Sequence, residues 1–179
     1  MHSAVLVIDV QQGLCVGEKA TFESERVIRR INTVTEKMRA AGGMVIFIQH
    51  ESMTGDLVFA SKSWQLASGL HIEPSDVRLR KTTPDAFNGT NLGDLLSARG
   101  IKELVICGMH TEFCVDTTTR RALALGYPVI LVEDAHTTES KEHLAAAQII
   151  RHHNATLTNI TSFGPRVRTI SAENLNFLP

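Results

Sequence analysis

The 179-residue sequence lacks most features that mark a specialised environment. Only 5% of it is aromatic, with one Trp and one Tyr. No basic stripe interleaves with those rings, so a base-stacking nucleic-acid surface is not expected. Lysine and arginine number 18 against 19 acidic residues, for a net charge of −1, which attracts neither a polyanion nor an anionic membrane. The three cysteines, Cys15, Cys107 and Cys114, are odd in number and lack framework spacing. That argues against a disulfide scaffold and predicts a reducing, cytoplasmic setting. No apolar run reaches the roughly 18 residues of a spanning helix, and Ala4 to Ile8 is strand-length rather than the core of a secretory leader. Phosphate-cradling glycines are missing too. Asp9-Val10-Gln11-Gln12-Gly13 is neither G-x-G-x-x-G nor a P-loop, which sets a nucleotide-binding dehydrogenase aside. Glu112-Phe113-Cys114-Val115-Asp116 lacks the glycines of a nucleophile elbow, which sets an α/β-hydrolase aside.

What is present is a hydrophobic content of 43%, enough for one full core in a single domain over 1–179. Short apolar runs alternate with helical periodicity. Strands are expected at Ala4–Ile8, Met44–Ile48, Asp76–Arg80, Leu104–Cys107, Pro128–Val132 and Ala155–Ile160. Helices are expected near Ser24–Ala41, Thr90–Ala98, from Thr111 to Gly126, and Ser140–His153. This alternation predicts a parallel sheet with helices on both faces and right-handed crossovers. The stretch from Gln49 to Asp76 is a long excursion of the kind that often carries function. The tail 161–179 reads as a polar loop.

Cys114 is the side chain around which a function can be built. It follows an apolar strand, with Thr111 as an N-cap candidate and Glu112 in the first helical turn. Helix-terminal amides there favour a thiolate. Asp9 closes the first strand and Lys81 the third. In a parallel sheet all three lie on the rim where ligands bind, as a nucleophile, a proton carrier and a cation. Asp134 is expected as a loop cap near the same rim. His50, Glu51, Asp56 and His71 lack metal-ligand spacing, so no metal or other cofactor is expected.

Val7-Ile8-Asp9-Val10-Gln11, Lys81 with Asp85-Ala86-Phe87, and Gly108-Met109-His110-Thr111-Glu112-Phe113-Cys114-Val115 with Thr118 and Arg120-Arg121-Ala122 occur in that order. Together they resemble the isochorismatase-like cysteine hydrolases, which include nicotinamidases. The resemblance implies a three-layer αβα sandwich around a six-stranded parallel sheet. It implies a catalytic triad of Asp9, Lys81 and Cys114, a cis peptide at Met109–His110, and an oxyanion hole from the His110 and Cys114 amides. It also implies a homodimer or higher homo-oligomer. Family members that cleave a vinyl ether can lack the cysteine, so Cys114 favours hydrolysis of a C–N bond in a small amide-type molecule. Gln49-His50-Glu51 stands where nicotinamidases carry Asp-x-His, which argues against nicotinamide. Gln11, Cys15, Trp64, Phe87 and His110 are the expected substrate-binding residues. The alternative is a catalytically silent α/β binding or interaction domain.

Overall fold

The structure is a computed structural model that describes residues 2–17 and 20–177. Among these residues, six strands form one all-parallel sheet in the order β3-β2-β1-β4-β5-β6. They are β1 (Ser3–Ile8), β2 (Met44–His50), β3 (Val77–Lys81), β4 (Glu103–Met109), β5 (Val129–Thr137) and β6 (Val167–Ile170). The sheet's apolar runs are buried on both faces, as parallel sheets require. Val5 and Val7 pack into one core, and Ala4, Leu6 and Ile8 into the other.

Helices α1 (Gln12–Cys15) and α2 (Ser24–Ala40) serve the first core. The spacing of Val27, Ile28, Ile31, Val34 and Met38 lays one stripe of α2 on the sheet. Helices α3 (Leu92–Ala98), α4 (Asp116–Ala124) and α5 (Ala146–Thr158) supply the second core, through Leu92, Leu96, Ala122, Leu123 and Leu157. No helix among the described residues is long and apolar enough to cross a membrane.

The chain departs from the sequence expectation after β4. Strand β5 does not stop at Val132. It continues to Thr137 through an irregularity in which Ile106 faces Leu131 but Gly108 faces His136. Asp134 is therefore part of a strand, not a cap at the rim. It bonds Arg30 at 3.1 Å and the Ala172 amide at 2.9 Å.

Helix α5 begins later than expected, at Ala146. Its entry is held by Ser140 Oγ, which accepts from the Ala146 amide, and Gln148 Oε1, which accepts from the Ala145 amide. Ala155–Ile160, read as the last strand, is mostly the end of this helix. Its β-branched threonines look strand-like, but helical placement is what buries Leu157. The sixth strand lies instead in the tail. Beyond it, Ala172 and Leu175 dock on the first core. Lys37 Nζ fixes that segment by donating to the carbonyls of Ala172, Glu173 and Leu175. Leu178 and Pro179 lie outside the described residues.

Candidate active site

The strand order reverses between β1 and β4, so a crevice opens at their C-terminal ends. Asp9 leaves β1 with φ 53°. This left-handed conformation is uncommon for a non-glycine residue, though Asp tolerates it better than most. The turn is held by the Asp9 amide donating to the Ile48 carbonyl at 2.8 Å and by the Gln11 amide donating to the Asp9 carbonyl at 2.9 Å.

On the other side of the crevice, β4 passes against β1 at Gly108, whose φ is 117°. A Cβ built there falls 2.1 Å from the Ile8 carbonyl oxygen, so only glycine fits. The Met109–His110 peptide is cis. A π-helical turn, Thr111–Val115, then feeds into α4. Cys114 thus sits in a wider turn than the α-helix expected. His110, not Thr111, is the residue flanking it.

Thr111 has another task. Its hydroxyl pairs with His136 Nδ1 at 2.8 Å, and His136 Nε2 pairs with Asn154 Oδ1 at 2.9 Å. Asn154 donates its amide nitrogen to the Glu133 carbonyl, so its oxygen faces the ring. His136 therefore donates through Nε2 and accepts from Thr111 through Nδ1. Burial holds its pKa down at about 4, so it is neutral. The sequence, with a strand expected only to Val132, places His136 in a loop or on a helix surface, and the longer β5 is what brings it to Thr111.

Lys81 ends β3 two strands away and is 2% exposed. Its ammonium lies 2.7 Å from Asp9 Oδ2 and 3.2 Å from Cys114 Sγ. It also reaches the Thr83 carbonyl at 3.1 Å and His50 Nδ1 at 3.3 Å. The donor atoms of Asp9, His50 and Cys114 all lie within 4.8 Å of one another, with the lysine's charge close to each. Glu51, Asp56 and His71 do not join them. Glu51 faces Arg80 at 3.7 Å, and His71 pairs with Glu36.

Electrostatics here differ from the sequence expectation of a lowered thiol pKa. Burial, and then the Asp9 charge, push the Cys114 thiol up to about 12, against the opposing pull of Lys81. Desolvation outweighs the single cation.

The other expected site residues are placed unevenly. His110 borders the π-helical turn, its Nε2 buried, 3.9 Å from Glu139 and without a hydrogen-bond partner among the described residues. Among the described residues outside helices and strands, no backbone carbonyl accepts from the His110 amide. Trp64 is 8% exposed, and its buried indole N–H has no partner among the described residues. It lines a cavity of about 540 Å³ with Gln49, Glu51 and Lys81.

Gln11 is fully buried, and its amide is already used. Oε1 accepts from the His50 amide, while Nε2 donates to the His50 and Trp64 carbonyls. It clamps the β1 and β2 exits together, with both ends of its amide already bonded. Cys15 packs its sulfur on Met109 Sδ in the first core, whereas Cys114 lies in the second. Phe87 stacks on Tyr127, beyond the far end of α4. Among the described residues, no side-chain hydrogen bond joins Gln11, Cys15 or Phe87 to Asp9, Lys81 or Cys114.

An isochorismatase-domain family model matches residues 3–162. Streptothricin hydrolase of Streptomyces noursei is 38% identical over 136 residues, covering 75% of this chain and 49% of that protein. The chain spans about half the length of the streptothricin hydrolases it matches. Ureidoacrylate amidohydrolase RutB of Enterobacter sp. (strain 638) is 29% identical, covering 95% of this chain and 86% of that one. The solved structure of an isochorismatase family protein superposes with a TM-score of 0.86 at 38% identity, covering 95% of this chain and 98% of that one. With this match over nearly the whole sheet, the chain belongs to the isochorismatase family.

Proposed function

We infer that the chain is a cysteine-dependent hydrolase that cleaves a carbon–nitrogen bond of a small amide-type molecule through a thioester. One observation carries this reading: a single buried ammonium, Lys81 Nζ, lies 2.7 Å from a carboxylate and 3.2 Å from a thiol. Asp9, Lys81 and Cys114 are then the catalytic residues. The similarity to an amidohydrolase and to a streptothricin hydrolase supports the same class.

A thiol pushed up to about 12 stays protonated at rest, so its ionisation accompanies attack. Asp9 takes the proton from Cys114. The sulfur bonds to the substrate carbonyl carbon, and the π electrons move onto oxygen. The His110 and Cys114 amides hold that oxyanion; such donors contribute about 3–4 kcal/mol each in other hydrolases. The oxyanion collapses, the C–N bond breaks, and the amine leaves with the proton from Asp9. Water then gives a proton to Asp9 and attacks the thioester. The acid departs, and Asp9 returns the proton to sulfur. Lys81 keeps its protons throughout and balances the negative charge as it moves between Asp9 and sulfur. His110 and Trp64 offer their unpaired ring nitrogens to the substrate's polar atoms.

The test is a screen of small amides, ureides and lactams for release of ammonia or amine, with Cys114→Ala as the blank. An acyl adduct on Cys114 is expected by mass spectrometry when the reaction is quenched. Binding of such a molecule without turnover would point to a silent binding domain. Equal turnover by Cys114→Ala would remove the cysteine from the mechanism.

A further inference from the structure

The ammonium of Lys81 has three N–H bonds, yet four acceptors stand within 3.3 Å of it. They are Asp9 Oδ2 at 2.7 Å, the Thr83 carbonyl at 3.1 Å, Cys114 Sγ at 3.2 Å and His50 Nδ1 at 3.3 Å. The carboxylate and the carbonyl are the stronger acceptors and the shorter contacts. They take two of the protons. The third is contested between a sulfur and a ring nitrogen at nearly equal distance.

His50 is equipped to contest it. Its backbone is pinned on both sides, its amide donating to Gln11 Oε1 and its carbonyl accepting from Gln11 Nε2. The ring therefore projects from a fixed point at the end of β2. An ammonium 3.3 Å from Nδ1 requires a lone pair there, which leaves the ring proton on Nε2. The ring is neutral near pH 7. Burial and then Lys81 lower its pKa, against Asp9, the Thr83 carbonyl and Glu51. A neutral sp² nitrogen accepts a charge-assisted hydrogen bond far better than a protonated thiol does.

We propose that His50 is a positioning residue that draws the third Lys81 N–H away from Cys114 in the resting site, and so keeps the nucleophile a thiol until substrate arrives. When Asp9 takes the thiol proton, the sulfur becomes an anion and the better acceptor. The lysine N–H then swings from Nδ1 to Sγ. No bond to carbon is involved in that exchange. The proton lost by sulfur is on Asp9, Lys81 keeps three protons, and His50 keeps its Nε2–H. This deepens the hydrolase reading, on which it rests for the role of Cys114. Its test uses no substrate, so the two ideas fail separately.

The experiment follows alkylation of Cys114 by iodoacetamide as a function of pH, with the modified residue read by mass spectrometry. The groups bearing on this sulfur are Asp9 and Lys81, with His50 acting through the lysine. His50→Ala should lower the midpoint of the profile by about one unit, which is about tenfold more thiolate at any pH below it. His50→Asn, whose Oδ1 can stand where Nδ1 stood, should keep the native midpoint. An unmoved or raised midpoint in His50→Ala would overturn the proposal. Faster reaction at every pH with the midpoint fixed would report only wider access, and would overturn it too. An independent check on the unaltered chain is the ring ¹⁵N spectrum of His50. A proton on Nδ1 at neutral pH would also end the idea.

Discussion

Lys81 Nζ and Asp9 Oδ2 form an ion pair of 2.7 Å in which the lysine side chain is 0% and the aspartate 3% exposed. Water screens neither charge, so each depends on the other. Replacing Lys81 by Met leaves a buried carboxylate without its counter-ion. Breaking such a pair from one side costs about 3–5 kcal/mol. Chemical denaturation of Lys81→Met should show that loss, and a loss below about 1 kcal/mol would mean the pair is hydrated.

Gly108 should tolerate no side chain. Its φ of 117° and the 2.1 Å approach of a built Cβ to Ile8 are separate penalties, and both fall on backbone atoms. Gly108→Ala must push β4 away from β1, the two strands that lead into Cys114 and Asp9. We expect a loss of about 3 kcal/mol or more. Native-like stability in this variant would contradict the described contact.

Alkaline pH should destabilise the fold through its thiols. Burial raises Cys15 from 9.0 to about 12, and burial with Asp9 raises Cys114 likewise. Both groups keep their protons in the fold at a pH where the unfolded chain has released them. Their contribution is full below about pH 9 and is lost as pH rises toward about 12. Thermal melts in that window should fall with pH, and Cys15→Ala should flatten the slope.

Acid acts through His136, with the opposite sign. Its pKa drops from 6.5 to about 4 on burial. The contribution is present above pH 6.5 and is lost as pH falls through about 4, because the unfolded chain then binds the proton first. His136→Leu should remove this acid dependence. It should also cost about 2–5 kcal/mol, by leaving Thr111 and Asn154 without their partner. The same stability–pH curve for His136→Leu and the native chain would show that the histidine is not buried neutral.

Lys37→Met should release the tail. Three carbonyls lose one ammonium, and Ala172 and Leu175 lose their tether to α2. Hydrogen exchange over 171–177 should accelerate, with the sheet unchanged. Unaltered protection there would show that apolar packing alone holds the segment.

The fold's class was readable because both periodicities are plain in the chain. Apolar runs at Ala4–Ile8, Met44–Ile48 and Leu104–Cys107 suit strands buried on both faces. The stripe from Val27 to Met38 suits one helix face. The regions misread were those where local preference and tertiary demand conflict. Thr156 and Thr158 favour a strand, but Leu157 is buried only when α5 runs through them. Val167–Ile170 is too short and polar to announce a strand until β5 offers it an edge.

The residues of the candidate site were legible one by one, since Asp9, Lys81 and Cys114 each follow or end a strand. Whether Gln11, Cys15 or Phe87 faced a ligand was not. The answer depends on which sheet face, and which neighbour's backbone groups, each side chain meets. Sequence alone determined five of the six strands, the stripe of α2 and the reactive groups at the strand ends, because these follow from local spacing and residue type. The tertiary structure alone decided that a lysine two strands away meets both the carboxylate and the sulfur. It also decided that their burial leaves the sulfur protonated, since distance and dielectric are set by packing between segments remote in the chain.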